Sequence, residues 1–377
     1  MNIPQSDTPT SLPGSRVKLV FACGILHRLG EFARGLGAKR VLLVTDPGIR
    51  DAGHVELAVR SMYQTGLVVR VFDEVRENPT THVVHKGLRI AQECKPDLLV
   101  GLGGGSSMDC AKGINFLHTN GGKMQDYWGT DKATQPMLPL IAIPTTSGTG
   151  SEAQSYALIT DPETHQKMAC GDSKALPKLA ILDPDLTATQ PQSVAAATGI
   201  DAVAHALETL VCRKRNPISL RFSIEAWQRL NRSLEKVLSD PTDVDARADM
   251  LLGAHLAGCA IENSMLGAAH AMANPLTAHA GVVHGFAVGM MLPHVIRFNG
   301  QQQDDYQKEL GISFDALAKR IETMLDTAAI PRSLSAHGIK ADALPDLAAD
   351  AAKQWTATFN PRPVTKDDFL ELYRRAL

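Results

Sequence analysis

The rhythm of apolar and polar positions along this 377-residue chain changes once, near residue 190. Before that point, short apolar runs alternate with stretches of helical spacing. KRVLLVTD ends at Asp46 in front of Pro47-Gly48, LVVRVFDEV leads into Asn78-Pro79-Thr80, and PDLLVGL runs into a glycine turn at Gly103-Gly104-Gly105. Runs so short and so apolar predict strands covered on both faces. HRLGEFARGLG, THVVHKGLRIAQEC and SSMDCAKGINFL accompany them with apolar residues at helical intervals. Strand and helix in alternation predict a parallel sheet with crossover helices, an α/β domain over residues 17–189. MLPLIAIP, SYALITD, HQKMACGD and LAILDPDL complete it.

From residue 190 to 377 the strand signal disappears. QSVAAATGIDAVAHALETLVC, ISLRFSIEAWQRLNRSLEKVLSD, VDARADMLLGAHLAGCAIEN, FDALAKRIETMLDTAA and DDFLELYRRAL carry helical spacing and are separated by Pro and Gly. That pattern predicts an all-helical second domain. Residues 1–16, MNIPQSDTPTSLPGSR, are polar and Pro-rich and are expected to form a flexible tail rather than a secretory signal.

Composition removes several function classes. The formal net charge is -2 with Lys and Arg scattered, so the electrostatic footprint of a nucleic-acid binder is missing. The chain is read as having no uninterrupted apolar run long enough to cross a bilayer, which argues against a membrane partner. Six cysteines stand singly, the usage of reduced thiols in a cytoplasmic protein.

The helical half carries the strongest chemical signal. On a helix, Asp201 and His205 share one face, four residues apart. His270, His279, His284 and His294 follow in a setting of Ala, Gly, Val, Leu and Met, where an imidazole needs a partner. Any one of these histidines is accounted for by a core hydrogen bond to a backbone carbonyl. Asp201 and His205 together with His270 and His284 instead match an open catalytic site for a borderline divalent ion.

The first half offers a place for a nucleotide. Ligands of parallel sheets bind beyond the carboxyl ends of the strands, where Asp46, Asn78 and the turn Gly103, Gly104, Gly105, Ser106 and Ser107 all fall. Glycines let an anion approach, and a following helix presents free N–H groups and its positive dipole end. A turn that merely reverses the chain uses the same glycines. A second loop, Thr145-Thr146-Ser147-Gly148-Thr149-Gly150-Ser151-Glu152, offers hydroxyls and backbone N–H groups to phosphate and ribose, and two such loops favour a nucleotide. Lys167 is a further candidate for phosphate or ribose. The nucleotide is expected in a cleft between the two domains.

Taken together, Gly103-Gly104-Gly105-Ser106 with Asp109, Pro144 to Glu152, Gly199-Ile200-Asp201-Ala202 with His205, and His284-Gly285 followed by Leu292-Pro293-His294 resemble the iron-containing (group III) alcohol dehydrogenases. The resemblance runs from about Val17 to the C-terminus. It implies an N-terminal dinucleotide-binding α/β domain with a Rossmann-like parallel sheet, an all-α C-terminal domain, NAD(P)-dependent interconversion of alcohol and aldehyde or ketone, and a homodimer or larger assembly. Carried over by position, the metal ligands fall on Asp201, His205, His270 and His284. Gly103 to Ser107 hold the pyrophosphate, Thr145, Thr146 and Thr149 line the cofactor, Asp109 of the glycine motif counts among the cofactor-binding residues, Lys167 lies near the ribose, and Asp46 contacts the adenosine ribose.

Asp46 accepts hydrogen bonds from the free 2′-OH of NAD and repels the 2′-phosphate of NADP, so NAD is favoured. Capping a turn at Pro47 would satisfy the same residue. Many family members carry a histidine four residues after the third ligand, facing the substrate; this chain has Asn274 there, which orients but does not titrate. His279 is the substitute proton donor, against the plainer reading of a solvent-facing helix-end histidine. The donor set suits Fe²⁺ and also accepts Zn²⁺, Mn²⁺, Co²⁺ or Ni²⁺. The expected reaction is hydride transfer between NAD(H) and a small alcohol or aldehyde, with the metal polarising the substrate oxygen. The rivals are a lyase of the dehydroquinate synthase type, a glycerol or diol dehydrogenase, and a binding protein without turnover.

Overall fold

The computed structural model describes residues 3–164 and 166–377. The chain forms two compact units, one reaching Thr146 and resuming over Gly150–Gln190, the other made of Ser147–Thr149 and Pro191–Leu377. Thr149 therefore counts with the helical unit, whereas a single boundary near residue 190 places it with the sheet.

The first unit is built on seven strands, β1 (Ser6–Ser11), β2 (Lys18–Phe21), β3 (Arg40–Val44), β4 (Val68–Phe72), β5 (Leu98–Gly103), β7 (Leu140–Pro144) and β10 (Leu179–Leu182), in the order β1-β2-β10-β7-β5-β3-β4. Every pairing from β2 to β4 is parallel. The central strands β5 and β7 are buried at each position, as two-sided cover requires. Side chains alternate between two cores. Val41, Leu43, Leu98 and Val100 join one cluster, and Leu42, Val44 and Leu99 join the other.

The expected flexible tail is corrected here. Ser6–Ser11 pairs antiparallel with β2, Thr10 opposite Leu19 and Ser11 opposite Lys18, although its side chains are almost all exposed. Its composition hides the reason, because pairing to β2 uses backbone N–H and C=O groups that an edge strand would otherwise leave open. Met1 and Asn2, which the same expectation covered, lie outside the described residues.

Helices α1 (Leu29–Gly35), α2 (Pro47–Asp51), α3 (His54–Gln64), α4 (Thr81–Cys94) and α5 (Gly105–Asn120) connect the strands. The hydrophobic pattern leaves the stretch after Pro47 without an element, yet α3 crosses from β3 to β4 and buries Val55, Ala58 and Met62. A small second sheet pairs β6 (Gly129–Thr130) with β9 (Lys167–Gly171), and β9 with β8 (Tyr156–Thr160). His165, inside the predicted HQKMACGD strand, lies outside the described residues.

Among its described residues the second unit has helices and no strand: α6 (Gln192–Val211), α7 (Pro217–Ser239), α8 (Val244–Asn263), α9 (Ala268–Ala280), α10 (His284–Gly300), α11 (Asp305–Leu310), α12 (Phe314–Thr327), α13 (Leu344–Ala351) and α14 (Lys366–Ala376). By length and composition α6 is long and apolar enough to cross a membrane, although Asp201, His205 and Glu208 interrupt its apolar run. However, 83% of that window is buried inside the unit, the situation of a core helix. It is buried at every position from Gly199 to Val211, so the polar residues it carries face protein on every side.

Candidate metal centre and nucleotide loop

Four side chains from three helices meet in the second unit. Asp201 and His205 stand one turn apart on α6, His270 lies in the first turn of α9, and His284 is the first residue of α10. Around the Oδ1 atom of Asp201 are the Nε2 atoms of His270 at 3.3 Å, His205 at 3.5 Å and His284 at 4.0 Å. The His205 and His270 rings stack at 4.8 Å between centroids, and His284 tilts against His270 at 5.5 Å. Asp201, His270 and His284 each offer a ligand atom within 4.8 Å of the others; His205 stands outside that tighter trio. His284 is the most open of the four, with 27% of its side chain exposed.

The donor set fits a divalent cation on observations of its own. Asp201 Oδ1 and His270 Nε2 are buried polar atoms facing each other without a hydrogen bond of proper geometry, an arrangement that is costly unless something binds between them. Burial pushes the Asp201 carboxyl up, but His205, His270 and His284 outweigh it and hold it well below the usual range. Burial pushes His270 down, yet Glu208 and Asp201 override it and lift the imidazole to about 9. The field at this point draws positive charge. One carboxylate oxygen and three imidazole nitrogens form the mixed donor set of borderline metals.

Glu208 was missed. It lies on α6 seven residues after Asp201, on the same face, and is buried beside His270, whose Nδ1 is 2.5 Å from Glu208 Oε2. The available signal was the spacing Asp201, His205, Glu208, a stripe of titratable groups in an otherwise apolar helix.

In the first unit, Gly103 has a φ of 145°, a conformation open to glycine, and α5 starts two residues on with Gly104 as its N-cap. A side chain at Gly103 would press on Ser107 and on Asp46 Oδ2. Asp46 Oδ1 accepts from the Ile49 N–H at 3.2 Å, capping α2, while Oδ2 accepts from the Ser107 hydroxyl at 3.0 Å. The capping reading of Asp46 is thus realised, and its second oxygen still sits against the glycine turn with Ser106 and Ser107. The Thr145 N–H donates to the Gly103 carbonyl at 3.0 Å and its hydroxyl is buried without a partner, while Thr146 lies against Gly104. Gly105 opens the helix. Lys167 Nζ donates to Asn78 Oδ1 at 3.1 Å, and Asn78 has a positive φ of 52°.

Two candidate roles need correction. Asp109 is turned into the protein, where its oxygens accept from the Ser151 hydroxyl at 2.6 Å and the Leu158 N–H at 3.1 Å, with Lys112 Nζ at 3.7 Å. It anchors the hydroxyl-rich loop to α5, so both of its oxygens are taken up within the protein. Lys112, overlooked in the sequence, is fully buried and donates to the Ser151 carbonyl and hydroxyl and to the Tyr156 carbonyl, each at 2.8 Å. His279 is a surface group: its side chain is 59% exposed and its Nε2 lies 2.8 Å from Asp350 Oδ2. Asn274 Nδ2 donates to Gln354 Oε1 at 2.9 Å.

Comparison with known proteins gives one answer for both units. The iron-containing alcohol dehydrogenase family model matches residues 16–184, and the C-terminal model of the Fe-containing alcohol dehydrogenase family matches residues 195–377. Alcohol dehydrogenase 4 of Schizosaccharomyces pombe is 34% identical, covering 99% of this chain and 92% of its own length. The NAD-dependent methanol dehydrogenase of Bacillus methanolicus is 33% identical over 95% of this chain and 97% of its own. A crystal structure of 1,3-propanediol oxidoreductase superposes with a TM-score of 0.91 at 32% identity, covering 96% of this chain and 98% of that one. With both halves matched and the likeness running almost end to end, the chain belongs to the iron-containing alcohol dehydrogenase family.

Proposed function

We propose that Asp201, His205, His270 and His284 hold one divalent ion, Fe²⁺ in preference to Zn²⁺, and that the protein uses NAD to interconvert a short aliphatic alcohol or diol and its aldehyde. The observation that carries the reading is the convergence of three imidazole Nε2 atoms on the Oδ1 of a buried aspartate. When bound, the ion supplies Lewis acidity to the substrate oxygen and NAD supplies the hydride acceptor. Three neutral imidazoles and one carboxylate cancel only one of the two positive charges, so the acidity is retained. His284, the most open of the four, marks the side on which a substrate is admitted. Asn274 orients the substrate without titrating.

The α5 N-terminus at Gly103 to Ser107 cradles the pyrophosphate through backbone N–H groups, with the Thr145 hydroxyl, Thr146, Lys167 and Asn78 of the same unit contributing. The Asp46 carboxylate next to that turn supports NAD over NADP, and so does the NAD-dependent relative. Relatives named for alcohol and aldehyde chemistry support redox turnover over the lyase reading. The family likeness supports a homodimer or larger assembly, which sedimentation of the pure protein tests.

The deciding experiment strips the protein with a chelator, verifies the loss by elemental analysis, and restores Fe²⁺ or Zn²⁺ while following nicotinamide absorbance over a panel of alcohols and aldehydes. Turnover should vanish and return with the ion. Undiminished hydride transfer in verified metal-free protein would overturn the proposal.

A further inference from the structure

We infer that Glu208 is the positioning residue of the metal centre: a single buried carboxylate that fixes both the imidazole of His270 and the start of the helix that carries it. The inference rests on the ligand quartet proposed above. Glu208 Oε2 lies 2.5 Å from His270 Nδ1, and Oε1 accepts from the Ala269 N–H at 2.7 Å. Both side chains are buried, so water does not compete for either bond.

The helix start needs such a group. The N-cap of α9 is Gly267, which has no side chain to satisfy the first free N–H groups. Two side chains from distant parts of the chain do so instead. Asn360 Oδ1 accepts from the Ala268 N–H at 3.2 Å, and Glu208 accepts from Ala269. Asn360 is itself held by a reciprocal amide pair with Asn299, at 2.8 and 3.2 Å. A Cβ at Gly267 would lie 3.0 Å from Glu208 Oε1 and 3.1 Å from Asn360 Oδ1, so glycine is what lets both caps reach the backbone. A carboxylate is also the favoured charge at a helix N-terminus.

The chemical consequence concerns the tautomer of His270. A carboxylate only accepts, so Nδ1 keeps a proton, and Nε2, which faces Asp201 Oδ1, is the nitrogen left to give up its proton and offer a lone pair to an ion. Asp201 and His205 stand on the same helix as Glu208. Through Glu208, α6 therefore supplies two ligands and sets the orientation, tautomer and height of a third.

Glu208→Gln separates this role from simple packing. The amide is nearly isosteric but has one acceptor for two donors. If its oxygen keeps the cap, its NH₂ group meets Nδ1, and the imidazole proton moves to Nε2, the ligand atom. The test is Zn²⁺ affinity of the full-length protein by competition with a chromophoric chelator, with hydrogen exchange of the α9 start measured in parallel. Glu208→Gln should weaken Zn²⁺ binding by about 10- to 100-fold. Asn360→Ala, which removes the neighbouring cap and the amide pair with Asn299 but leaves Glu208 and His270 in place, should speed exchange at Ala268 while leaving Zn²⁺ affinity within about threefold of wild type.

Wild-type Zn²⁺ affinity in folded Glu208→Gln overturns the inference, and so does an equal loss in Asn360→Ala, which would reduce Glu208 to a helix cap. Should Glu208→Gln fail to fold, Glu208→Asp replaces it: withdrawing the carboxylate by one methylene should weaken Zn²⁺ binding, and unchanged affinity is again fatal. His270→Ala is the reference. If it binds Zn²⁺ as wild type does, the quartet itself is wrong; if it does not, a normal Glu208 variant sinks only the positioning role.

Discussion

Asp46 shows how one carboxylate can serve fold and selectivity together. Its Oδ1 caps α2 while its Oδ2 accepts from Ser107 beside the glycine turn. Asp46→Asn keeps the capping oxygen, since Asn and Asp are equivalent N-caps, and removes only the charge. The ratio of kcat/KM with NADP to that with NAD should rise at least about tenfold, a change of about 1.4 kcal/mol, with little change in thermal midpoint. An unchanged ratio would detach Asp46 from cofactor choice. Lys112 has no such double life. Burial alone pushes the Asp109 carboxyl up, and the Lys112 ammonium works against that shift. Lys112→Met strands Asp109 and should cost about 3–5 kcal/mol in urea unfolding, the usual penalty for breaking a buried pair.

At the scale of elements, the quartet depends on how closely α10 approaches α6. Gly285, next to His284, backs directly onto the backbone of Ala197, and a methyl there would overlap its carbonyl. Backbone atoms cannot rotate away as a side-chain tip can. Gly285→Ala should therefore cost about 1–3 kcal/mol by overpacking and displace His284, read as a lower urea midpoint together with weaker Zn²⁺ binding. Both helices that bring the later histidines contain a proline, Pro275 in α9 and Pro293 in α10. Proline normally ends a helix, so the sequence pattern breaks where the structure continues. The same kind of blindness affected α2, which begins at the Pro47-Gly48 pair, and β1, whose exposed polar residues carry no core signal.

At the scale of the whole molecule, acid sensitivity follows from buried and half-buried histidines outside the quartet. His54 is buried with its Nε2 2.8 Å from Thr189 Oγ1 and its Nδ1 without a partner. Burial lowers its pKa despite the opposing pull of Asp183, and burial moves His118 and His294 the same way. A histidine whose folded pKa is depressed takes up its proton first in the unfolded chain. Its contribution is therefore intact above the unfolded pKa of about 6.5 and is lost as pH falls below it, with a slope of at most about 1.4 kcal/mol per pH unit for each group. Urea midpoints should fall from pH 7 to pH 5.5, and His54→Gln should flatten part of that fall. A slope identical in the variant would exclude His54 as a contributor.

The sequence by itself determined the parallel sheet, the helical second half, and the four residue types of the quartet, because periodicity and local spacing are properties of the chain alone. Asp201 and His205 were readable as a pair for the same reason: four residues on a helix is a distance in space. Only the tertiary structure decided that His270 and His284 reach that pair and that His279 does not, because helix ends and crossings set those distances. The same holds for Asp109, Lys112 and Glu208. Each is an ordinary charged residue in the sequence, and each acquired its role when burial removed water and left a few fixed neighbours to bond.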